Sequence, residues 1–178
     1  MKKEPTYENY PFWIVILSNL FSIAIYLTGA FIIYRLSLIW MILYVLFIVV
    51  LELQLISRHC VDCYYYGKSC AAGKGRISRL FFKKGNNKNF CKKEMSWKDM
   101  LPTFLVSLIP LAVGIIIMIM GFSWLMLILV ILLFLLTFAG NAAMHTQLIC
   151  KYCKQRKLGC PADKLFDKDK RDNRNKKK

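Results

Sequence analysis

Long stretches of this chain carry apolar residues without a sustained polar face. Phe12 to Tyr34 has no charged residue, and neither has Leu36 to Leu51; Glu52 is then the one charge before Arg58. From Leu101 to Leu148 there is no Asp, Glu, Lys or Arg. A soluble core helix shows polar residues along one side, because part of it meets water. A helix rises about 1.5 Å per residue, so about 20 apolar residues cross a hydrocarbon core about 30 Å thick. Backbone amides left unpaired in lipid are too costly for any other open structure. The pattern therefore predicts an all-α membrane protein with four transmembrane helices, near Phe12–Tyr34, Leu36–Ile56, Leu101–Met120 and Leu125–Leu148. The first run is too long for a signal-peptide core, and a second span follows at once. Pro110 and Gly114 predict a kink in the third helix, since proline removes a helical hydrogen bond.

Charge sets the expected orientation. Of 26 Lys and Arg residues, eleven lie between Ser57 and Met100 and twelve from Lys151 onward. Lys2 and Lys3 precede the first run, Arg35 sits in the first short hairpin, and Gly121-Phe122-Ser123-Trp124 has no charge. Basic residues favour the cytoplasmic side. The expected organisation is a cytoplasmic N-terminus (1–11), a hairpin (12–56), a basic cytoplasmic loop (57–100), a second hairpin (101–148), a cytoplasmic segment (149–166) and a disordered basic tail (167–178). The expected location is the cell membrane, with both termini cytoplasmic. The formal charge of +16 fits attraction to anionic head groups better than binding of nucleic acid, because Asp alternates with Lys and Arg in the tail. The segment Arg76–Lys84 mixes basic and bulky apolar residues, as a piece of chain lying in the membrane interface does.

The chain also repeats itself. Cys60-x2-Cys63-x6-Cys70 recurs as Cys150-x2-Cys153-x6-Cys160, each cysteine displaced by 90 residues. The same displacement lays the first hydrophobic run on the third and the second on the fourth. The reading is two tandem-duplicated helical hairpins, each followed by a cytoplasmic cysteine triad. An even number of spans per repeat keeps both halves in one orientation, with a pseudo-two-fold axis along the membrane normal.

All seven cysteines stand in polar, Lys-rich segments. A reducing cytoplasm disfavours structural disulfides, which leaves metal ligation or thiol redox chemistry. Cys-x2-Cys resembles the knuckles of zinc-ribbon and rubredoxin-type sites over a dozen residues, a likeness that implies no particular function. Two pairs make a tetrahedral zinc site, so Cys60, Cys63, Cys150 and Cys153 are one candidate set, which leaves Cys70 and Cys160 over. Alternatively each triad holds its own ion or iron–sulfur cluster, with His59 or Cys91 completing the first and His145 or Asp163 the second. Cys160-Pro161 is similar to the end of a ferredoxin motif, though the x6 spacing is not. Zinc and iron–sulfur both remain open.

Other signals are weaker. Gly67-Lys68-Ser69 resembles the end of a phosphate loop, but Asp62 stands where that loop needs glycine. Tyr64-Tyr65-Tyr66 reads as part of an aromatic belt. Glu52 and Asn141 are intramembrane polar residues. Glu52 is expected to reach water, Arg58 or His145, and Asn141, among small residues, to hydrogen-bond between helices. With no catalytic base or nucleotide loop in view, the expected role is a membrane anchor, assembly or accessory subunit carrying a thiolate-bound metal. It would act with a protein partner or as a homo-oligomer. An electron-transfer protein and a metal-handling permease are the alternatives.

Overall fold

The architecture comes from a computed structural model that describes residues 6–87, 90 and 97–160, the side chains of 97–100 excepted. Cys91, Asp163 and the tail 167–178 lie outside the described residues. Helix α1 spans Phe12–Tyr34, and α2 spans Leu38–Leu55 and continues through a π turn, Ile56–Cys60. A short helix, α3, covers Lys74–Phe81. Helix α4 is Trp97–Met120. Helix α5 is Trp124–Leu135, prolonged by π turns at Leu136–Gly140 and Met144–Ile149. Helix α6 is Lys154–Gly159. Among the described residues four helices are long and apolar enough to cross a membrane: Phe12–Tyr34, Leu38–Cys60, Leu101–Met120 and Trp124–Ile149. The extended pairing among these residues is a single parallel bridge, Tyr7 to Cys153.

Local chemistry sets the boundaries. Arg35 and Leu36 donate their amides back to the Ile32 and Ile33 carbonyls, which turns the chain tightly out of α1. The Ser37 hydroxyl then accepts from the Ile39 amide and caps α2, so that helix begins at Leu38 rather than Leu36. At the far end the π turn carries α2 into the first cysteine. Cys60 is therefore the last residue of a membrane helix rather than a member of a free loop.

α1 is the hub, packed on α2, α4 and α5, while α4 also packs on α5. Ile25, Ile32, Leu111, Met126, Val130 and Leu133 form the larger buried cluster at the junction of α1, α4 and α5. Ile33, Tyr44, Ile48 and Val106 form a second between α1, α2 and α4. Outward residues such as Leu27, Ile39 and Ile119 are largely exposed and apolar, which only a lipid environment tolerates on this scale.

Pro110 ties the second cluster together. It has no amide proton, so the Val106 carbonyl one turn earlier loses its helical donor. The Tyr44 hydroxyl donates to that carbonyl at 2.7 Å. Gly29 makes room for this contact: a Cβ there would stand 2.5 Å from the Tyr44 oxygen and 3.1 Å from the Pro110 ring. α4 runs on continuously through both Pro102 and Pro110.

Candidate functional site: the cysteine face

Both cysteine segments meet at one end of the bundle, held there by the residues just before α1. The Tyr7 amide donates to the Tyr152 carbonyl at 3.1 Å, and the Tyr10 amide to the Ser69 carbonyl at 2.9 Å. The Tyr10 hydroxyl donates to the Ile149 carbonyl at 2.6 Å, and the Tyr65 hydroxyl to the Tyr7 carbonyl at 2.7 Å. Residues 7–10 thus form a strap that binds the segment after α2 and the segment after α5 together. Tyr10, Ile14, Tyr65 and Ala71 are its buried core, with Cys63, Cys70 and Cys153 packed against them.

Each Cys-x2-Cys forms the same turn. The Cys63 amide donates to the Cys60 carbonyl at 3.4 Å, and the Cys153 amide to the Cys150 carbonyl at 3.3 Å. Just after each turn, backbone amides lie near enough to sulfur to favour its thiolate: that of Tyr65 for Cys63, and those of Gln155 and Arg156 for Cys153. The Gly75 amide, in the first turn of α3, donates to the Cys70 sulfur at 3.3 Å. Gly75 allows this because its α-carbon lies against the preceding loop; a Cβ there would stand 2.1 Å from the Tyr65 carbonyl oxygen.

Gln155 joins the two segments. Its side chain is buried, and its Oε1 accepts from the Tyr64 amide at 2.8 Å and from the Cys63 thiol at 3.9 Å. Burial pushes the Cys63 thiol up to about 12, and the neighbouring sulfurs of Cys153, Cys60 and Cys70 add to the rise. Burial also raises Cys153, against the pull of its backbone amides, with Cys160 close enough to contribute. Cys63 is therefore the meeting point: it feels both other members of its own triad and one thiol of the other. The six described cysteines are free thiols. Among the described residues no group of three or more His, Cys, Asp or Glu side chains is arranged to hold a metal ion.

The candidate additional ligands are placed unequally. His145 lies in the last turns of the fourth span, its Nδ1 4.0 Å from the Cys150 sulfur. His59 is half-buried in the π turn beside Cys60. Glu52 pairs with Lys74 at 2.5 Å and accepts from the Tyr26 hydroxyl at 2.6 Å. Helix α3 folds back under the bundle and brings Lys74 to the end of α2. Asn141 is exposed on α5, while its neighbour Gly140 packs against the Phe21 ring of α1.

The tyrosines differ from expectation. Tyr65 is buried among the cysteines instead of standing in an aromatic belt, and Tyr64 lies edge-on to it at 5.2 Å between centroids. Lys68 and Lys154 sit over the Tyr64 ring at 4.3 and 4.9 Å. Sequence reading missed Tyr7, Tyr10 and Gln155. Nothing in their spacing marks them, because their partners lie up to 139 residues away. Compared with protein-family models, curated proteins and solved structures, the chain matches none at a significant level.

Proposed function

We propose that this chain is a multi-pass membrane protein whose two cysteine triads form a thiolate-bound metal centre, zinc or iron–sulfur. On this reading it serves as a membrane anchor or accessory subunit that presents the centre to a partner at the cytoplasmic face. The observation that carries the reading is the repeated turn at Cys60–Cys63 and Cys150–Cys153, with an amide two residues on near the sulfur in each. Amides near sulfur favour the thiolate, the form that ligates metal. Burial opposes the thiolate until a cation is present to offset it. A site that is both buried and lined with amides therefore suits a bound cation better than a free redox thiol.

The same features favour the tandem duplication. Tyr65 and Gln155, which supply the equivalent amides, are themselves 90 residues apart. The π turns Ile56–Cys60 and Met144–Ile149 end the second and fourth spans at matching places. Cys63 and Cys153 pack against the same cluster of Tyr10, Ile14, Tyr65 and Ala71, which favours one shared centre over two remote ones. The basic charge on this face favours the cytoplasm.

Anaerobic purification followed by metal analysis and a visible spectrum tests the proposal. Near-stoichiometric zinc in a colourless protein, or iron with sulfide in a brown one, is the expected result. The second outcome assigns electron transfer as the role. Cys63→Ser and Cys153→Ser should each remove most of the metal. A folded preparation that has met no chelator and contains no metal overturns the reading.

A further inference from the structure

Helix α3 divides into three lengthwise sectors. At about 100° per residue, Leu80, Ile77 and Phe81 fall in one, Lys74, Ser78 and Gly75 in the next, and Arg79 and Arg76 in the third. The chain buries the middle one: Gly75 and Ser78 are covered, and Lys74 pairs with Glu52. Ile77, Leu80 and Phe81 are exposed, and so are Arg76 and Arg79. Lys83 and Lys84 follow at the helix exit and are exposed too.

Two contacts fix the depth of this helix. Gly73, just before it, abuts α1: a Cβ there would stand 3.2 Å from Val15 Cγ1 and 3.6 Å from Asn19 Nδ2. Val15 and Asn19 lie in the first two turns of the span Phe12–Tyr34. Lys74 meets Glu52, which stands about 12 Å before the end of the span Leu38–Cys60. α3 therefore starts alongside the ends of two spans rather than beyond them. That is the level at which hydrocarbon gives way to head groups.

We propose that α3 is a binding site for anionic phospholipid. Arg76 and Arg79 hold the head-group phosphate, Ile77, Leu80 and Phe81 lie among the upper acyl chains, and Lys83 and Lys84 add charge. Positions i and i+3 of a helix are neighbours, so the two guanidinium forks stand side by side, each able to donate paired hydrogen bonds to phosphate. A zwitterionic lipid offers the same phosphate next to a cation of its own, so four basic side chains favour the anionic lipid. Depth and the apolar row select a lipid over a soluble acidic partner, which would meet the arginines but leave the apolar row uncovered. Lipid binding also reaches the cysteines. The Gly75 amide that donates to the Cys70 sulfur stands in the first turn of α3, so a head group that holds the helix holds that donor in place. The site itself does not depend on whether a metal is bound.

Spin-labelled lipids in phosphatidylcholine vesicles containing the full chain test this. Labelled phosphatidylglycerol should be enriched over labelled phosphatidylcholine in the motionally restricted layer around the protein. Arg76→Gln with Arg79→Gln should remove about half of that preference, since two of the four cations go. Lys151→Gln with Lys157→Gln, an equal loss of exposed charge outside α3, should remove much less. Leu80→Ser with Phe81→Ser should lower the preference with every charge kept. In the unaltered chain, amide exchange over Lys74–Phe81 should be several-fold slower in phosphatidylglycerol vesicles than in phosphatidylcholine vesicles. The difference should vanish in the Arg76→Gln, Arg79→Gln variant, and inorganic phosphate should not reproduce it. Circular dichroism of each variant confirms an unchanged helix content, and metal content reports the cysteine face separately. An equal loss from the two charge-removing pairs assigns the preference to net charge and overturns the proposal. Exchange indifferent to the lipid overturns it as well, and so does equal protection by inorganic phosphate, which would make this a site for soluble anions.

Discussion

At the scale of single residues, the membrane enforces a strict account of backbone polarity. Pro110 leaves the Val106 carbonyl without its helical donor, and Tyr44 supplies one from another helix. Tyr44→Phe should therefore destabilise the bundle by about 1–3 kcal/mol, the cost of a buried group left unsatisfied. In a Pro110→Ala background the amide returns, and the same change should cost much less. Unfolding in mixed micelles, measured as a double-mutant cycle, reads the difference directly. The Glu52–Lys74 pair is a contrasting case. Both side chains retain some exposure, 27% and 22% respectively, so Lys74→Met should cost under about 1 kcal/mol. The proline was legible in the sequence. Its acceptor's new donor was not, because no local pattern links residue 44 to residue 106.

At the scale of elements, the four spans were legible because apolar length is a sum over about 20 residues and survives local noise. The ends were less so: a cap at Ser37 and π turns before the cysteines shift them by a few residues. Helix α3 shows how a basic loop gains structure. Its Gly75 and Ser78 are buried, Gly75 against the preceding loop, while Leu80 and Phe81 are 80% and 74% exposed between Arg76, Arg79, Lys83 and Lys84. An amphipathic segment of this kind belongs at the head-group boundary. A spin label attached through a keto amino acid at position 80 should be more accessible to oxygen than to a water-soluble nickel chelate. The order should reverse at position 84, and equal accessibility at both sites would place α3 in water. Gly75→Ala should displace α3 from its loop, because the added carbon meets the Tyr65 carbonyl. The expected cost is about 1–3 kcal/mol. The Cys70 sulfur should lose its amide donor at the same time, which, under the proposed metal-binding role, a fall in metal content would report.

At the scale of the whole molecule, the cysteine face is a composite of chain segments that are remote in sequence. The triad spacing was legible because it repeats. The strap and Gln155 were not, since an isolated tyrosine or glutamine carries no signal of long-range pairing. If a metal centre binds the two hairpins together, removing it should loosen that face more than the bundle. Limited proteolysis should then cut first near Gly67 or Gly159, two glycines with positive φ in turns beside the cysteines. Equal cutting rates with and without chelator would separate the cysteines from the stability of this face.

The strap also imposes an order in time. The Tyr10 hydroxyl waits for the Ile149 carbonyl, made 139 residues later. At about 5–20 residues per second, that interval is roughly 7–28 s of synthesis. During it the first hairpin can already be inserted, while Cys60, Cys63 and Cys70 lack their counterparts and Cys63 lacks its Gln155 partner. The nascent chain thus passes through a stage in which the first triad stands at the membrane surface without the second. Under the proposed metal-binding role, that stage is the natural moment for an ion to be delivered; it is also the moment at which the first thiols lack their partners against oxidants.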